Sequence, residues 1–114
     1  MVTNKKLSEV RASNDLVPQT IVKGSLEKFA AQGGIPLEDG IDDLDHYRGF
    51  GGSVDGTDFA VMRYAGHPEN TFTIYLPMKV NDLVDIVDLT AKIGTDLGIT
   101  DSLITWHRKD NPEL

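Results

Sequence analysis

The second half of the chain, residues 58–108, constrains the fold most, because its elements can be read in order from the sequence. Residues 58–65 and Thr71–Pro77 are rich in β-branched and aromatic residues, and the turn formers between them predict a hairpin. A helix over 81–97 and a further strand over 102–108 follow. A strand–turn–strand–helix–strand order of this kind predicts an α+β domain.

The predicted helix over 81–97 has clear end signals. Asn81 is expected to be its N-cap, Asp82 and Asp85 suit the positive end of its dipole, and Gly98 is expected to end it. Gly94 inside the helix predicts close packing at that point. Helical spacing predicts an apolar face that packs on a sheet, and Ile86 and Ile93 widen this face. Its other members are Val80, Leu83, Val84, Val87, Ala91 and Leu97.

The first half predicts a strand over 19–23 and a short helix capped by Ser25 and ended by Gly33 and Gly34. The resulting β-α-β-β-α-β order is that of a ferredoxin-like sandwich, with an insertion at about 34–56. The insertion is long enough for an extra strand around 47–54 that turns at Asp55 and Gly56. We therefore expect a mainly antiparallel sheet of four to five strands with two helices packed on one face.

Size, charge and cysteine content narrow the class of protein. A chain of 114 residues is expected to form a single α+β domain, 1–114, with flexible ends at 1–15 and 109–114. It has no cysteine, and its N-terminal stretch lacks a signal-peptide apolar run, so a cytoplasmic location is expected. A net charge of −7 argues against binding to nucleic acid or to an anionic membrane.

The hairpin leads to a prediction about the two faces of the sheet. Closing Ala65 against Thr71 would place Met62 opposite Ile74 and the corresponding pairs, Tyr64 with Phe72 and Ala60 with Leu76, on the core face. The other face would then carry five side chains, too apolar to be left bare: Phe59, Val61, Arg63, Thr73 and Tyr75. A second subunit, a small ligand, or the chain's own segment 34–56 could cover this face.

Two candidate sites follow from that face. As a ligand site, it would use Tyr75 and Trp106 as walls, Arg63 as the anchor for a carboxylate, and His107 near the strand end. As a dimer interface, it would use four residues: Phe59, Val61, Thr73 and Tyr75.

Other clusters favour structural interpretations. The glycines from Gly49 to Gly52 lack the spacing of a phosphate loop, and a bulge or tight strand bend is expected there. The acidic run over 38–45 does not match a calcium loop; it predicts a solvated loop or a contact surface for a basic protein. His46, His67 and His107 lack ligand spacing, so neither a metal nor another cofactor is expected.

No family resemblance is visible in these residues, and three hypotheses about function remain open. The first is a small bacterial, cytoplasmic binding or interaction protein, homodimeric through the open sheet face, with no evident catalytic activity. The second is an acidic protein of the immunity or antitoxin type that binds a basic partner through 38–45. The third is a small-ligand-binding protein or enzyme with its site on the open sheet face.

Overall fold

The computed structural model describes residues 2–42, 45–66 and 70–107, and for 101 and 105–107 it describes the backbone alone. Within these ranges the chain forms seven strands, three α-helices and one short 3-10 turn. In chain order they are β1 (Val2–Lys5), α1 (Leu7–Ser13), β2 (Leu16–Lys23), α2 (Leu26–Gly33), β3 (Glu38–Ile41), β4 (His46–Val54), β5 (Thr57–Tyr64), β6 (Thr71–Pro77), α3 (Leu83–Leu97), the 3-10 turn (Asp101–Leu103) and β7 (Ile104–His107). The predicted α+β class is confirmed, with more strands and one more helix than expected.

The strands form one sheet in the order β1-β4-β5-β6-β2-β7, and β3 pairs with β4 beside this row. Every pair is antiparallel. Strand β6 lies between β2 and β5, and β7 lies on the other side of β2, which is compatible with the ferredoxin-like pattern. The inserted segment supplies β3 and β4, and Asp55 and Gly56 turn the chain into β5 with φ angles of 50° and 79°.

The N-terminal segment, expected to be a flexible end, contains two ordered elements. Strand β1 pairs with β4, and α1 lies on the reverse face of the sheet, opposite to α2 and α3. Leu7 and Val10 of α1 are fully buried against Ala60, Met62 and Tyr75. The chain therefore covers part of its own reverse face with α1 rather than with segment 34–56.

The main core lies between the sheet and the two longer helices. Leu26 of α2 and three residues of α3 pack there against side chains from β2, β4, β5 and β6; the buried members are Val22, Leu26, Phe50, Val54, Phe59, Val61, Phe72, Ile74, Leu76, Ile86, Leu89 and Ile93. Burial of this apolar area provides the main driving force for folding. No helix among the described residues has the length and apolar character needed to cross a membrane.

The predicted register of the β5–β6 hairpin is wrong by one residue. Val61, not Met62, lies opposite Ile74, and Met62 lies opposite Thr73. Strand β6 presents the expected residues to α2 and α3, but the two faces of β5 are exchanged. Phe59 and Val61 face α2 and α3, while Ala60 and Met62 face α1. A one-residue slip exchanges the two faces of a strand. The slip also brings Arg63 to the helix side, where Glu27 of α2 binds it.

The predicted bulge or bend in the glycine cluster is also wrong. Strand β4 pairs with β5 in unbroken register from Tyr47 to Val54. A Cβ at Gly51 would come within 2.9 Å of Val10 Cγ2, and one at Gly52 would come within 2.7 Å of the Phe59 ring. The glycines therefore make room for α1 on one face and for Phe59 on the other.

Candidate interaction surface

Helix α3 is fixed by caps at both ends. The Asp82 side chain accepts a hydrogen bond from the backbone N–H of Val84 at 2.9 Å, so Asp82 rather than the expected Asn81 is the N-cap. Gly98 adopts the left-handed conformation, with φ 74°, and its N–H caps the carbonyls of Gly94 and Thr95. Local hydrogen bonds thus define both ends of the helix.

The predicted apolar face of α3 meets the sheet only in part, through Ile86, Ile93 and Leu97. The buried side chains are Ile86, Leu89 and Ile93, whereas Val84 is 75% exposed, Val87 57% and Leu83 51%. Ala91 is exposed as well. Residues three and four apart are neighbours on a helix surface, so these four form one continuous stripe. We call Leu83, Val84, Val87 and Ala91 the outer stripe.

The outer stripe has an acidic border. Asp88 follows Val84 by one turn, and Asp85 lies next to Asp88 on the same side of the helix. We call Asp85 and Asp88 the acidic border. Asp88 contacts Lys92 at 3.0 Å, but Lys92 also binds Asp55 in the β4–β5 turn. That ion pair lowers the pKa of Asp55 and, with Asp88, raises the pKa of Lys92. Lys92 is thus shared between two carboxylates, and the border remains acidic.

The structure places the predicted ligand anchor, Arg63, on the opposite face of the sheet from Tyr75. Arg63 Nη2 donates to Glu27 Oε1 at 2.5 Å and Nη1 donates to Oε2 at 3.0 Å. Chiefly through this bond, the pKa of Glu27 falls to about 2. Arg48 contacts the same carboxylate at 3.6 Å and donates to Asp39 at 2.6 Å. Arg63 therefore ties β5 to α2.

Tyr75 lies on the reverse face, in a cluster that contains all three tyrosines of the chain. The Arg11 guanidinium of α1 lies 4.0 Å from the Tyr47 ring centre, and its Nη2 donates to Asp42 at 2.7 Å. The Tyr64 hydroxyl donates to the same carboxylate oxygen at 2.7 Å. Burial and the bond to Asp42 raise the pKa of Tyr64, and burial raises that of Tyr75. The cluster fastens α1 to the sheet and keeps these phenols protonated.

The four residues of the predicted dimer interface are not at the surface. Phe59 and Val61 have no exposed area, and Thr73 and Tyr75 are 5% and 7% exposed. The backbone of β7 pairs Trp106 with Ile21 and His107 with Thr20, and their side chains lie outside the description. The structure thus separates Arg63 from Tyr75 and leaves no exposed surface made of the four interface residues.

The acidic run over 38–45 is largely used within the protein. Glu38 accepts hydrogen bonds from the backbone N–H groups of Leu7, at 2.5 Å, and Ser8, at 3.4 Å. Asp39 and Asp42 bind Arg48 and Arg11, and Asp45 accepts from the backbone of His46. The described acids of this run therefore secure α1 and the β3–β4 hairpin, whereas the border of α3 faces outward.

Comparison with known proteins gives no relative. No protein-family model matches the chain, and no curated protein or solved structure shows significant similarity to it. Among the described residues, no group of three or more histidine, aspartate or glutamate side chains is placed to hold a metal ion. Function has to be inferred from the chain's own surface.

Sequence reasoning missed the outer stripe as a surface, although a signal for it was present. The apolar positions of α3, from Leu83 to Ile93, cover an arc of the helix wider than one packed face needs. The tyrosine cluster around Arg11 gave no such signal, because it joins α1 to β4, β5 and β6 from distant parts of the chain.

Proposed function

We propose that this chain is a binding protein that contacts a basic partner through the outer stripe of α3 and its acidic border. The observation that carries the proposal is the exposure of Leu83, Val84 and Val87 side by side on one helix. Single exposed apolar residues are normal, but a continuous apolar stripe beside charged residues is typical of a protein–protein contact.

Charge complementarity favours a basic partner over a second copy of the chain. The border contains Asp85 and Asp88, Lys92 is already bound by two carboxylates, and the whole chain carries a net charge of −7. Two copies packed through α3 would bring like charges together, whereas a basic amphipathic helix would offer apolar and cationic groups at once.

This proposal keeps the hypothesis of an acidic, partner-binding protein but moves its contact surface. The described carboxylates of the run over 38–45 already have partners within the protein, among them Leu7, Arg11 and Arg48. Dimerisation through Phe59, Val61, Thr73 and Tyr75 is not proposed further, because these side chains are buried.

The test uses a synthetic amphipathic helix of leucine and lysine as a model partner, followed by fluorescence anisotropy. We expect saturable binding that weakens as salt is added, and weaker binding of a leucine–glutamate peptide with the same apolar pattern. The double variant Val84→Asp/Val87→Asp should lose this binding. Ile41→Asp is the matched control, because Ile41 is 66% exposed but lies on β3.

Three results would overturn the proposal. One is equal binding by the double variant and the wild type, and another is equal binding of the basic and acidic peptides. The third is a wild-type dimer, measured by light scattering after gel filtration, that Val84→Asp/Val87→Asp disperses; the stripe would then be a contact between two copies.

A further inference from the structure

A second surface feature lies at the opposite end of α3, where α2 and α3 both terminate beside β1. An open cleft of about 720 Å³ separates the two helix ends. Its apolar wall is made of four partly buried side chains that also contact the main core: Val2, Phe29, Ile35 and Leu97. Its volume lies in the range of small-molecule sites, roughly 300–1,000 Å³.

The electrostatics of the cleft favour positive charge. Its lining includes Gln32 and Gly33 at the C-terminal end of α2, and Thr95 to Gly98 at the C-terminal end of α3. The C-terminal end of a helix carries partial negative charge, and neither helix has a basic residue in its last turn. The described lining also contains no lysine or arginine side chain that could form an ion pair with an anion.

Asp96 adds a full negative charge at this cleft. Its Oδ2 accepts a hydrogen bond from the backbone N–H of Val2 at 2.5 Å, which anchors the carboxylate next to β1. Within the described part of the chain, Oδ1 has no hydrogen-bond partner. A bound ammonium group could therefore pair with Asp96 while its organic part contacts Phe29 and Leu97.

We infer that this cleft between the C-terminal ends of α2 and α3 binds a small organic cation with an apolar body, such as a protonated arylalkylamine. The site is separate from the outer stripe, which occupies the first part of α3. Its ligand binding is independent of the proposed partner binding.

Three probes of nearly equal shape but different charge separate the effect of charge on affinity from that of shape: benzylammonium, benzyl alcohol and benzoate. Each is titrated into the isotope-labelled protein, and binding is followed by the chemical shifts of the backbone amides in NMR spectra. We expect saturable shifts at Gln32, Thr95 and Gly98 with benzylammonium. Its affinity should exceed that of benzyl alcohol by roughly fivefold, since helix ends and a carboxylate each favour a cation. Benzoate should bind most weakly.

Two variants test the charge directly. Asp96→Asn keeps an oxygen that can accept from Val2 and should weaken benzylammonium about fivefold without changing benzyl alcohol. Gln32→Lys, at an exposed position, should weaken benzylammonium and strengthen benzoate. Asp15→Asn is the matched control, because Asp15 is exposed and lies outside the cleft, and it should change neither affinity.

The absence of saturable shifts at the cleft with any probe would overturn the inference. So would equal affinity for benzylammonium and benzyl alcohol, or unchanged affinities for benzylammonium and benzoate in Gln32→Lys. None of these results would alter the binding of the leucine–lysine peptide to the outer stripe, so this inference and the proposed function can fail separately.

Discussion

Arg63 of β5 and Glu27 of α2 form a two-point ion pair, with N···O distances of 2.5 and 3.0 Å, across the boundary between the sheet and its helical layer. The pair gives Arg63 a partner on the face that carries Phe59 and Val61, beneath the helices. The ion pair therefore lowers the free-energy cost of a register that places the charged Arg63 beside core side chains.

The Glu27–Arg63 pair predicts a loss of stability in acid. The pKa of Glu27 is lowered to about 2, so the pair stabilises the fold above the carboxyl's ordinary pKa. That contribution should be lost as pH falls from about 5 to about 2. Since Glu27 is 38% exposed, solvent screening should limit the contribution to roughly 0.5–1 kcal/mol.

Glu27→Gln should accordingly flatten the dependence of the unfolding free energy on pH in this window, as measured by urea denaturation at several pH values. Asp15→Asn is the control, because Asp15 is exposed, lies outside any helix and makes no ion pair among the described residues. An acid dependence that is identical in wild type and Glu27→Gln would show that the pair contributes nothing measurable.

Tyr64 predicts a loss of stability in alkali. Burial and the hydrogen bond to Asp42 raise its pKa, so the folded state needs the neutral phenol. Its contribution is present below the unfolded pKa, near 10, and is lost as pH rises above that value. Tyr64→Phe should reduce this alkaline loss and cost about 0.5–1.5 kcal/mol near neutral pH, through the missing hydrogen bond. Urea denaturation at neutral and alkaline pH measures both effects, and an unreduced alkaline loss in the variant would contradict the prediction.

Shortening a side chain should cost much more stability on the buried arc of α3 than on the outer stripe. Ile93 has no exposed area, so Ile93→Ala should lower the unfolding free energy by about 2–4 kcal/mol. Val87 is 57% exposed, so Val87→Ser should change it by no more than about 0.5 kcal/mol. Thermal or urea unfolding of the two variants checks this. A large cost for Val87→Ser would mean that the outer stripe is packed against something within the fold.

Two glycines should give opposite results when changed to alanine. At Gly49 a Cβ would overlap the carbonyl oxygen of Val61 and lie within 2.9 Å of Met62, so Gly49→Ala should destabilise by about 1–3 kcal/mol. At Gly94 the nearest atom to a Cβ is the Ile99 oxygen at 3.7 Å, an ordinary contact, which contradicts the close packing predicted there. Gly94→Ala should therefore stabilise by about 0.5–1 kcal/mol, because alanine loses less entropy in a helix. The midpoint of urea unfolding should fall for Gly49→Ala and rise for Gly94→Ala. A shift of both midpoints in the same direction would contradict one of these two predictions.

Local signals in the sequence predicted most of the elements that the structure contains. Ser25 and Gly34 cap α2 as expected. The Ser25 hydroxyl accepts a hydrogen bond from the backbone N–H of Lys28 at 3.3 Å. The extra strand and its turn at Asp55 and Gly56 are also confirmed. Caps and turns depend on residues within a few positions of one another, so the sequence displays them directly.

The candidate surfaces were less predictable, because they depend on which face of an element meets the rest of the fold. Phe59 and Val61 alternate with Ala60 and Met62, so both faces of β5 are apolar and either could meet the helices. In the structure, Phe50 of β4 lies opposite Val61, and both side chains belong to the helix-side core. On α3, Val84 and Val87 are as apolar as Ile86 and Ile93.

The sequence by itself determined the types of most elements, the turn at Asp55 and Gly56, the C-terminal ends of α2 and α3 and the acidic charge, since each follows from short-range chemistry. Tertiary structure alone decided the register of β5, the position of α1 with its Arg11 over the Tyr47 ring, and the arc of α3 that is left exposed. Periodicity describes how side chains are arranged within an element. Where two faces are equally apolar, packing against strands and helices from distant parts of the chain selects the buried one.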